Sequence, residues 1–348
     1  MGLIHLEYVW LDGNKPQQIR SKTKITEKLE SRNELLKVYK DSINLLSIWN
    51  FDGSSTNQAE TSKSELLLKP VNVFIDPFKQ NGLLVLCEVI NTDMTPHYSN
   101  HRMDFEKIVK TKDQESLFGW EQEYFIYDNK TKKPLGWPKD GYPEPQGDYY
   151  CANGGNHVKG RDFVEEHAQL CQDAGLQISG INAEVALGQW EYQIGPVSAL
   201  DGADQLWISR YILDRLSEKY NYYIELDPKP YKGNSWNGSG MHVNFSTKIM
   251  REDMSNKKQL VIDACEKLGK NIDTHISVYG INNENRLTGH NETCSINEFR
   301  WGIGDRTASI RIPSSINDDS TPGYLEDRRP ASNADPYLVA KVMIETIC

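Results

Sequence analysis

The sequence predicts an α+β protein in two unequal parts: a small β-rich N-terminal domain over residues 1–98 and a larger α+β domain over 99–348 with an antiparallel-leaning sheet. Three observations predict it. The run Leu6-Glu7-Tyr8-Val9-Trp10-Leu11 alternates as a half-buried strand does and stops at the turn pair Asp12-Gly13. The stretch Asn91-Thr92-Asp93-Met94-Thr95-Pro96-His97-Tyr98-Ser99-Asn100 is polar, carries a proline and has no periodicity, as a linker does. Beyond it, long helical patterns interleave with short strand-like runs.

In chain order, the first strand is followed by a helix over about Thr26 to Tyr39 and by strands around Ile43 to Phe51, Val71 to Ile75 and Leu83 to Val89. Past the linker, Arg161 to Ala174 has helical spacing and ends at Gly175, a residue suited to the left-handed stop of a helix. Ala199 to Tyr220 and Gln259 to Tyr279 are longer helical patterns. Strands are expected between and after them, around residues 121–127, 181–194, 222–226, 240–246 and 306–312. No internal repeat or low-complexity tract interrupts the chain.

Composition excludes several classes of function. With 348 residues, 25% of them charged and 38% hydrophobic, the chain is long and apolar enough for a sizeable core. A formal net charge of −10 argues against nucleic acid, whose phosphates require Lys/Arg stripes, and against an acidic membrane surface. No run of about 18 apolar residues exists to span a bilayer. The segment Met1-Gly2-Leu3-Ile4-His5-Leu6 lacks the basic flank and apolar core of a signal peptide, and Leu6 stands where a myristoylation motif has Ser or Thr. The 6 cysteines form no CxxC pair and read as reduced thiols of a cytoplasmic protein.

The chemistry concentrates in a few segments. In Phe118-Gly119-Trp120-Glu121-Gln122-Glu123-Tyr124-Phe125-Ile126, strand alternation points Glu121 and Glu123 one way and Gln122 the other. Two like charges on one face either stand in water or share a counter-ion, for which a hard, oxygen-loving divalent cation is suited. In Ile181-Asn182-Ala183-Glu184-Val185-Ala186-Leu187-Gly188-Gln189-Trp190-Glu191, a tip at Leu187-Gly188 places Glu184 directly opposite Glu191. Leu-Gly is not a favoured two-residue tip, which leaves a longer loop open. His242 opens a strand after the glycine-rich Asn237-Gly238-Ser239-Gly240, as a structural histidine or as a nitrogen ligand beside the carboxylates. Arg286, Arg306, Arg311, Arg328 and Arg329 serve either as surface ion pairs or, converging on a carboxylate-held metal, as clamps for an anionic substrate. No Gly-x-x-x-x-Gly-Lys-Ser/Thr loop exists, so any nucleotide is held without a P-loop.

These segments, with Trp49-Asn50-Phe51-Asp52-Gly53-Ser54-Ser55-Thr56, Pro145-Gln146-Gly147, Asp227-Pro228-Lys229-Pro230, Arg306-Thr307-Ala308-Ser309-Ile310-Arg311-Ile312-Pro313 and Glu326-Asp327-Arg328-Arg329-Pro330, resemble glutamine synthetase of the type II class over nearly the whole chain. The resemblance implies a β-grasp-like N-terminal domain and a catalytic domain with a curved, mainly antiparallel sheet. It implies an ATP-dependent glutamate–ammonia ligase that makes glutamine through γ-glutamyl phosphate. It implies two or three Mg²⁺ or Mn²⁺ ions per active site, with Glu123, Glu184 and Glu191 at one and Glu121, His242 and Glu326 at another.

By the same resemblance, Arg286, Asn237 and Gly238 lie at the amino acid, Arg306 and Arg328 at the transferring phosphoryl, and Arg311, Asn244 and Ser246 at ATP. Asp52, with Ser55 close by, would take the proton of ammonium, and Glu292 would seal the site. The implied assembly is a decamer of two pentameric rings with active sites between neighbouring subunits. The sequence departs from the family pattern at Asp148, at Asn234-Ser235, at His290-Asn291 in the flap and in its short C-terminus. The rival functions are ligation of glutamate to a larger amine on the same scaffold, and a non-catalytic assembly. Intact Asp52, Ser55 and Glu292 favour ammonia.

Overall fold

The computed structural model describes residues 2–28, 30–231, 236–290 and 294–348. The chain divides into two compact units, residues 1–107 with 169–176, and residues 108–168 with 177–348. In chain order the elements are β1 (Gly2–Leu11), β2 (Ile19–Lys28), α1 (Arg32–Asp41), β3 (Trp49–Asp52), β4 (Glu65–Ile75), β5 (Gly82–Ile90), α2 (His101–Lys112), β6 (Leu117–Asp128), β7 (Lys133–Pro134) and α3 (Arg161–Asp173). They continue with β8 (Ile178–Ala183), β9 (Gln189–Ser198), α4 (Ala199–Tyr220), β10 (Tyr222–Glu225), β11 (Met241–Ser246), α5 (Lys248–Glu252), α6 (Lys257–Gly269) and α7 (Ile272–Ile276). The last are β12 (Trp301–Ile303), β13 (Ile310–Ile312), β14 (Leu325–Asp327) and α8 (Pro336–Ile347).

The first unit is a five-stranded sheet in the order β2-β1-β5-β4-β3. Its β1–β5 pair is parallel and the other pairs are antiparallel. Ile4, Leu6, Tyr8 and Trp10 of β1 alternate into a core that also takes Val73, Leu83, Val85 and, from α1, Leu35. The expected helix over Thr26 to Tyr39 is corrected here. Residues 26–28 close β2, and the helix begins after Ser31, which forms a capping box with Glu34. Strand β2 escaped the sequence because it is a polar edge strand, Ile-Arg-Ser-Lys-Thr-Lys, paired among the described residues with β1 alone. Of the expected strand from Ile43 to Phe51, residues 43–45 form a short 3₁₀ turn and only the end joins the sheet as β3.

The second unit holds a nine-stranded, mainly antiparallel sheet whose main path runs β12-β13-β14-β11-β6-β9-β8, with β7 and β10 also paired to β6. Alternation on β6 is as expected: Gln122 points away from its flanking glutamates. Its Oε1 accepts from buried Arg210 of α4 at 2.9 and 2.6 Å, and Arg210 also donates to the carbonyls of Ser332 and Ala334. A buried guanidinium costs a great deal unless its donors are filled, so this network pins β6 against α4. On β9, Tyr192 faces the same way and bonds Ser209 of α4 at 2.8 Å, which leaves Glu191 and Gln193 on the opposite face.

Two further expectations are corrected in this unit. The helical pattern from Gln259 to Tyr279 is two helices, α6 and α7, broken after Gly269. A Cβ at Gly269 would lie 2.7 Å from the ring of Phe299, so glycine is required where that ring packs. The strand expected over 306–312 is confined to Ile310–Ile312, because Asp305 accepts from Thr307 N and Oγ1 and curls the chain before it. Helix α8 was missed, although Asp335 caps it and Pro336 occupies its first position.

Candidate active site

Strands β9, β6, β11 and β14 lie side by side and turn alternate residues to one face. Across them Glu191 faces Glu123, Glu121 faces His242, and Asn244 faces Glu326. Glu191, Glu123, Glu121, His242 and Glu326 line a cavity of about 420 Å³, together with Glu184, Arg286, Arg306, Arg311, Arg328, Asn237 and Gly238. The register of the β8–β9 hairpin differs from the expected one. Asn182, not Glu184, stands opposite Glu191, and Glu184 lies past the strand end in the turn, with its N–H on the Gln189 carbonyl at 3.0 Å. The turn is longer than a two-residue tip, with Gly188 at φ +83°. The opposed carboxylate pair is therefore Glu123 with Glu191, across β6 and β9, and Glu184 joins them from the loop.

The carboxylates fall into two groups. Glu121, His242 and Glu326 form one, and Glu123, Glu184 and Glu191 the other, with the candidate ligand atoms of each group within 4.8 Å of one another. His242 stands between them. Its Nδ1 is 3.3 Å from Glu121 Oε2 and 3.5 Å from Glu326 Oε1, while its Nε2 is 3.1 Å from Arg286 Nη2 and 3.7 Å from Glu123 Oε1. Burial and the neighbouring Arg328 push the imidazole down to about 4, so it is neutral at physiological pH. Glu326 accepts from Arg328 at 2.5 Å and from Arg311 at 3.1 Å. Asn244 donates to Glu121 at 2.7 Å, and the Gly240 N–H donates to Glu123 at 2.7 Å. A Cβ at Gly240 would overlap the Arg286 guanidinium, so glycine is needed for that strand start to lie so close.

Burial, then repulsion from Glu123, raises Glu184 to about 8; burial and repulsion from Glu121 and Glu184 raise Glu191 to about 10. Crowded, buried carboxylates with one imidazole are a donor set for a hard divalent cation, which would replace protons held against repulsion. The residues fit such an ion. The sign follows from linkage: both folded-state values lie above the ordinary 4.5. Their stabilising contribution is whole below about pH 4.5 and is lost as pH rises through about 8 and then about 10. Mn²⁺ competes with fewer protons at high pH, so it should raise the melting temperature more at about pH 8.5 than at about pH 6.5. Equal shifts at the two pH values would contradict the assignment.

A second cavity of about 470 Å³ adjoins the first, sharing Glu121 and Gln193. It is lined by Ile194, Pro196, Phe245, Pro322 and Tyr324 with Asn244 and Ser246, a mostly apolar slot with a few polar groups. Arg251 holds Ser246 through its carbonyl at 2.9 Å and its hydroxyl at 3.1 Å. At the other side of the first cavity, Asn237 and Gln146 exchange two hydrogen bonds, and Gln189 donates to the Gly238 carbonyl at 3.2 Å. Gly238 leaves no room for a side chain against Pro228 and Arg286.

Asp52 and Ser55 lie in the first unit. Asp52 is exposed and caps a short turn, accepting from Ser54 N at 3.0 Å, Ser54 Oγ at 2.6 Å and Ser55 Oγ at 2.9 Å. The Ser54 and Ser55 bonds hold its carboxyl below the usual range, as an anion. Glu292 lies outside the described residues. Asn182, Gln193 and Tyr150 line the first cavity without having been singled out from sequence. The signal was there for two of them, since Asn182 and Gln193 each stand two residues from a glutamate.

Comparison with known proteins supplies the context. The family model described as "Glutamine synthetase, catalytic domain" matches residues 103–348, and "Glutamine synthetase, beta-Grasp domain" matches residues 4–92. A glutamine synthetase of Streptomyces viridochromogenes is 47% identical over 347 residues, covering 98% of this chain and 96% of that one. One from Saccharomyces cerevisiae is 47% identical over 349 residues, covering 100% and 90%. The cryo-EM structure of a Plasmodium falciparum glutamine synthetase shares the fold, with a TM-score of 0.76 at 18% identity, over 99% of this chain and 71% of that chain. Among the described residues, no helix is long and apolar enough to cross a membrane.

Proposed function

This chain belongs to the glutamine synthetase family, an ATP-dependent glutamate–ammonia ligase, and from that premise we propose how its own residues divide the work. Glu123, Glu184 and Glu191 hold one divalent cation, and Glu121, His242 and Glu326 a second; each is Mg²⁺ or Mn²⁺. The observation that carries this is the pair of carboxylate groups on one strand face. Bound there, the cations neutralise the ATP phosphates and lend Lewis acidity to phosphoryl transfer.

The rest falls to protein groups. Asn244 and Ser246 receive the nucleotide in the apolar cavity, with Arg311 toward its phosphates. Arg286 pairs with the α-carboxylate of glutamate, beside Asn237 and Gly238. Arg306 and Arg328 then stabilise the charge that develops as the phosphoryl group passes to the side-chain carboxylate of glutamate. Asp52, with Ser55, attracts ammonium and removes its proton, acting across a subunit boundary, and Glu292 closes the site against water. A base held low is a poor proton acceptor, so burial of Asp52 in the assembly is the step that lifts it. The assembly we propose is a decamer of two five-membered rings in the cytoplasm.

The purified protein should release phosphate from ATP only when glutamate and ammonium are both present, with Mg²⁺ or Mn²⁺, as particles ten times the 39.8 kDa chain mass. Equal release with polyamines in place of ammonium would assign it to the amine ligases. A particle of another mass would overturn the decamer.

A further inference from the structure

We propose that Asn182 and Gln193 form an amide clamp that sets the spacing of Glu184 and Glu191 and so the affinity of the cation site built on them. The inference rests on the reading that those two glutamates hold a cation. Asn182 Nδ2 donates to Glu184 Oε1 at 3.0 Å. Gln193 Nε2 donates to Asn182 Oδ1 at 2.8 Å and also to Glu191 Oε1. The four side chains thus make one unbroken run of hydrogen bonds, with an amide holding each carboxylate. A Val185 N–H at 3.1 Å fixes the other oxygen of Glu184.

The clamp answers a physical problem. Glu123, Glu184 and Glu191 are all buried and repel one another, and a carboxylate on a loop swings away from like charge unless something holds it. Neutral amide donors hold it without adding charge, and each carboxylate oxygen keeps a lone pair for a ligand. Groups that orient ligating carboxylates typically govern 10–100-fold in metal affinity.

Gly180 is a second, independent observation. It pairs with Gln193 across β8 and β9, and a Cβ there would overlap Gln193 Oε1. The strand has a glycine where the amide needs to lie flat.

Mn²⁺ alone, titrated into the full-length protein with free Mn²⁺ followed by electron paramagnetic resonance, reads the effect. Gln193→Leu and Asn182→Leu should each weaken one class of site about 10–100-fold and leave the class of Glu121, His242 and Glu326 unmoved. Gly180→Ala should weaken the same class, and the Gly180→Ala/Gln193→Leu pair should bind no more weakly than Gln193→Leu, because both changes undo one contact. Wild-type affinity in Gln193→Leu, or equal weakening of both classes, overturns the clamp. The unmoved class reports in each variant that the sheet is folded. If Gly180→Ala loses both classes, the two leucine variants decide alone. Glu191→Ala separates the clamp from the reading beneath it. If that variant keeps both classes, the cation assignment falls. If it loses one class while Gln193→Leu loses neither, only the clamp falls.

Discussion

Asp52→Ala should lower glutamine formation from ammonium by about 10²–10⁴-fold while Mn²⁺ and ATP binding persist, the range expected for loss of a positioned acid–base group. Ammonium is not a nucleophile, so some group must take its proton before the acyl phosphate is attacked. Asp52 is suited by its charge and by its rigidity: Ser54 and Ser55 aim its carboxylate from the start of a tight turn. Asp52→Asn keeps an oxygen to cap that turn but has no charge to draw ammonium, so it should fail as Asp52→Ala does. Measured turnover against ammonium concentration, with ATP binding followed by calorimetry, checks both variants. Unchanged turnover in either one removes Asp52 from the mechanism.

Glu326→Ala should act differently, cutting turnover by about 10²–10³-fold, abolishing one class of Mn²⁺ site and weakening ATP together with it. One carboxylate here serves three neighbours: His242 Nδ1 at 3.5 Å, Arg328 at 2.5 Å and Arg311 at 3.1 Å. Its removal leaves the guanidinium groups of Arg311 and Arg328 without that acceptor in the first cavity. Titration of Mn²⁺ with and without ATP reads the coupling; independent losses would contradict a shared site. The effect should be confined to this face of β14. Asp327, next in sequence, points the other way into a buried pair with Arg329 at 2.7 Å, where Tyr279 Oη also donates at 2.7 Å.

Much of the site could be read from local sequence because strand alternation is local. Glu121 and Glu123 share a face, with Gln122 turned to Arg210, since neighbouring side chains on an extended backbone must point opposite ways. What failed were features with weak local signal. Strand β2 lies at the sheet edge and alternates exposed with half-buried residues, so it has no buried apolar run and its residues resemble those of a loop or a helix. The pattern from Gln259 to Tyr279 reads as continuous, while the helix ends at Gly269, where the ring of Phe299, thirty residues away, leaves no room for a side chain.

Chain order and composition alone determined the α+β class, the face shared by the paired glutamates, the histidine after its glycine-rich loop and the arginines that follow. Tertiary structure decided how these meet. The β8–β9 register put Asn182 opposite Glu191 and left Glu184 to arrive from a turn, and the pairing of β6 with β9 set Glu123 against Glu191. Register follows from the summed pairing of residues far apart in sequence, so no local periodicity encodes it, and a two-residue shift keeps every side chain on its face while changing its neighbours. In the observed register Asn182 bonds Glu184 and Gln193 bonds Glu191, so the two amides that stand two residues from the glutamates become their holders in the fold.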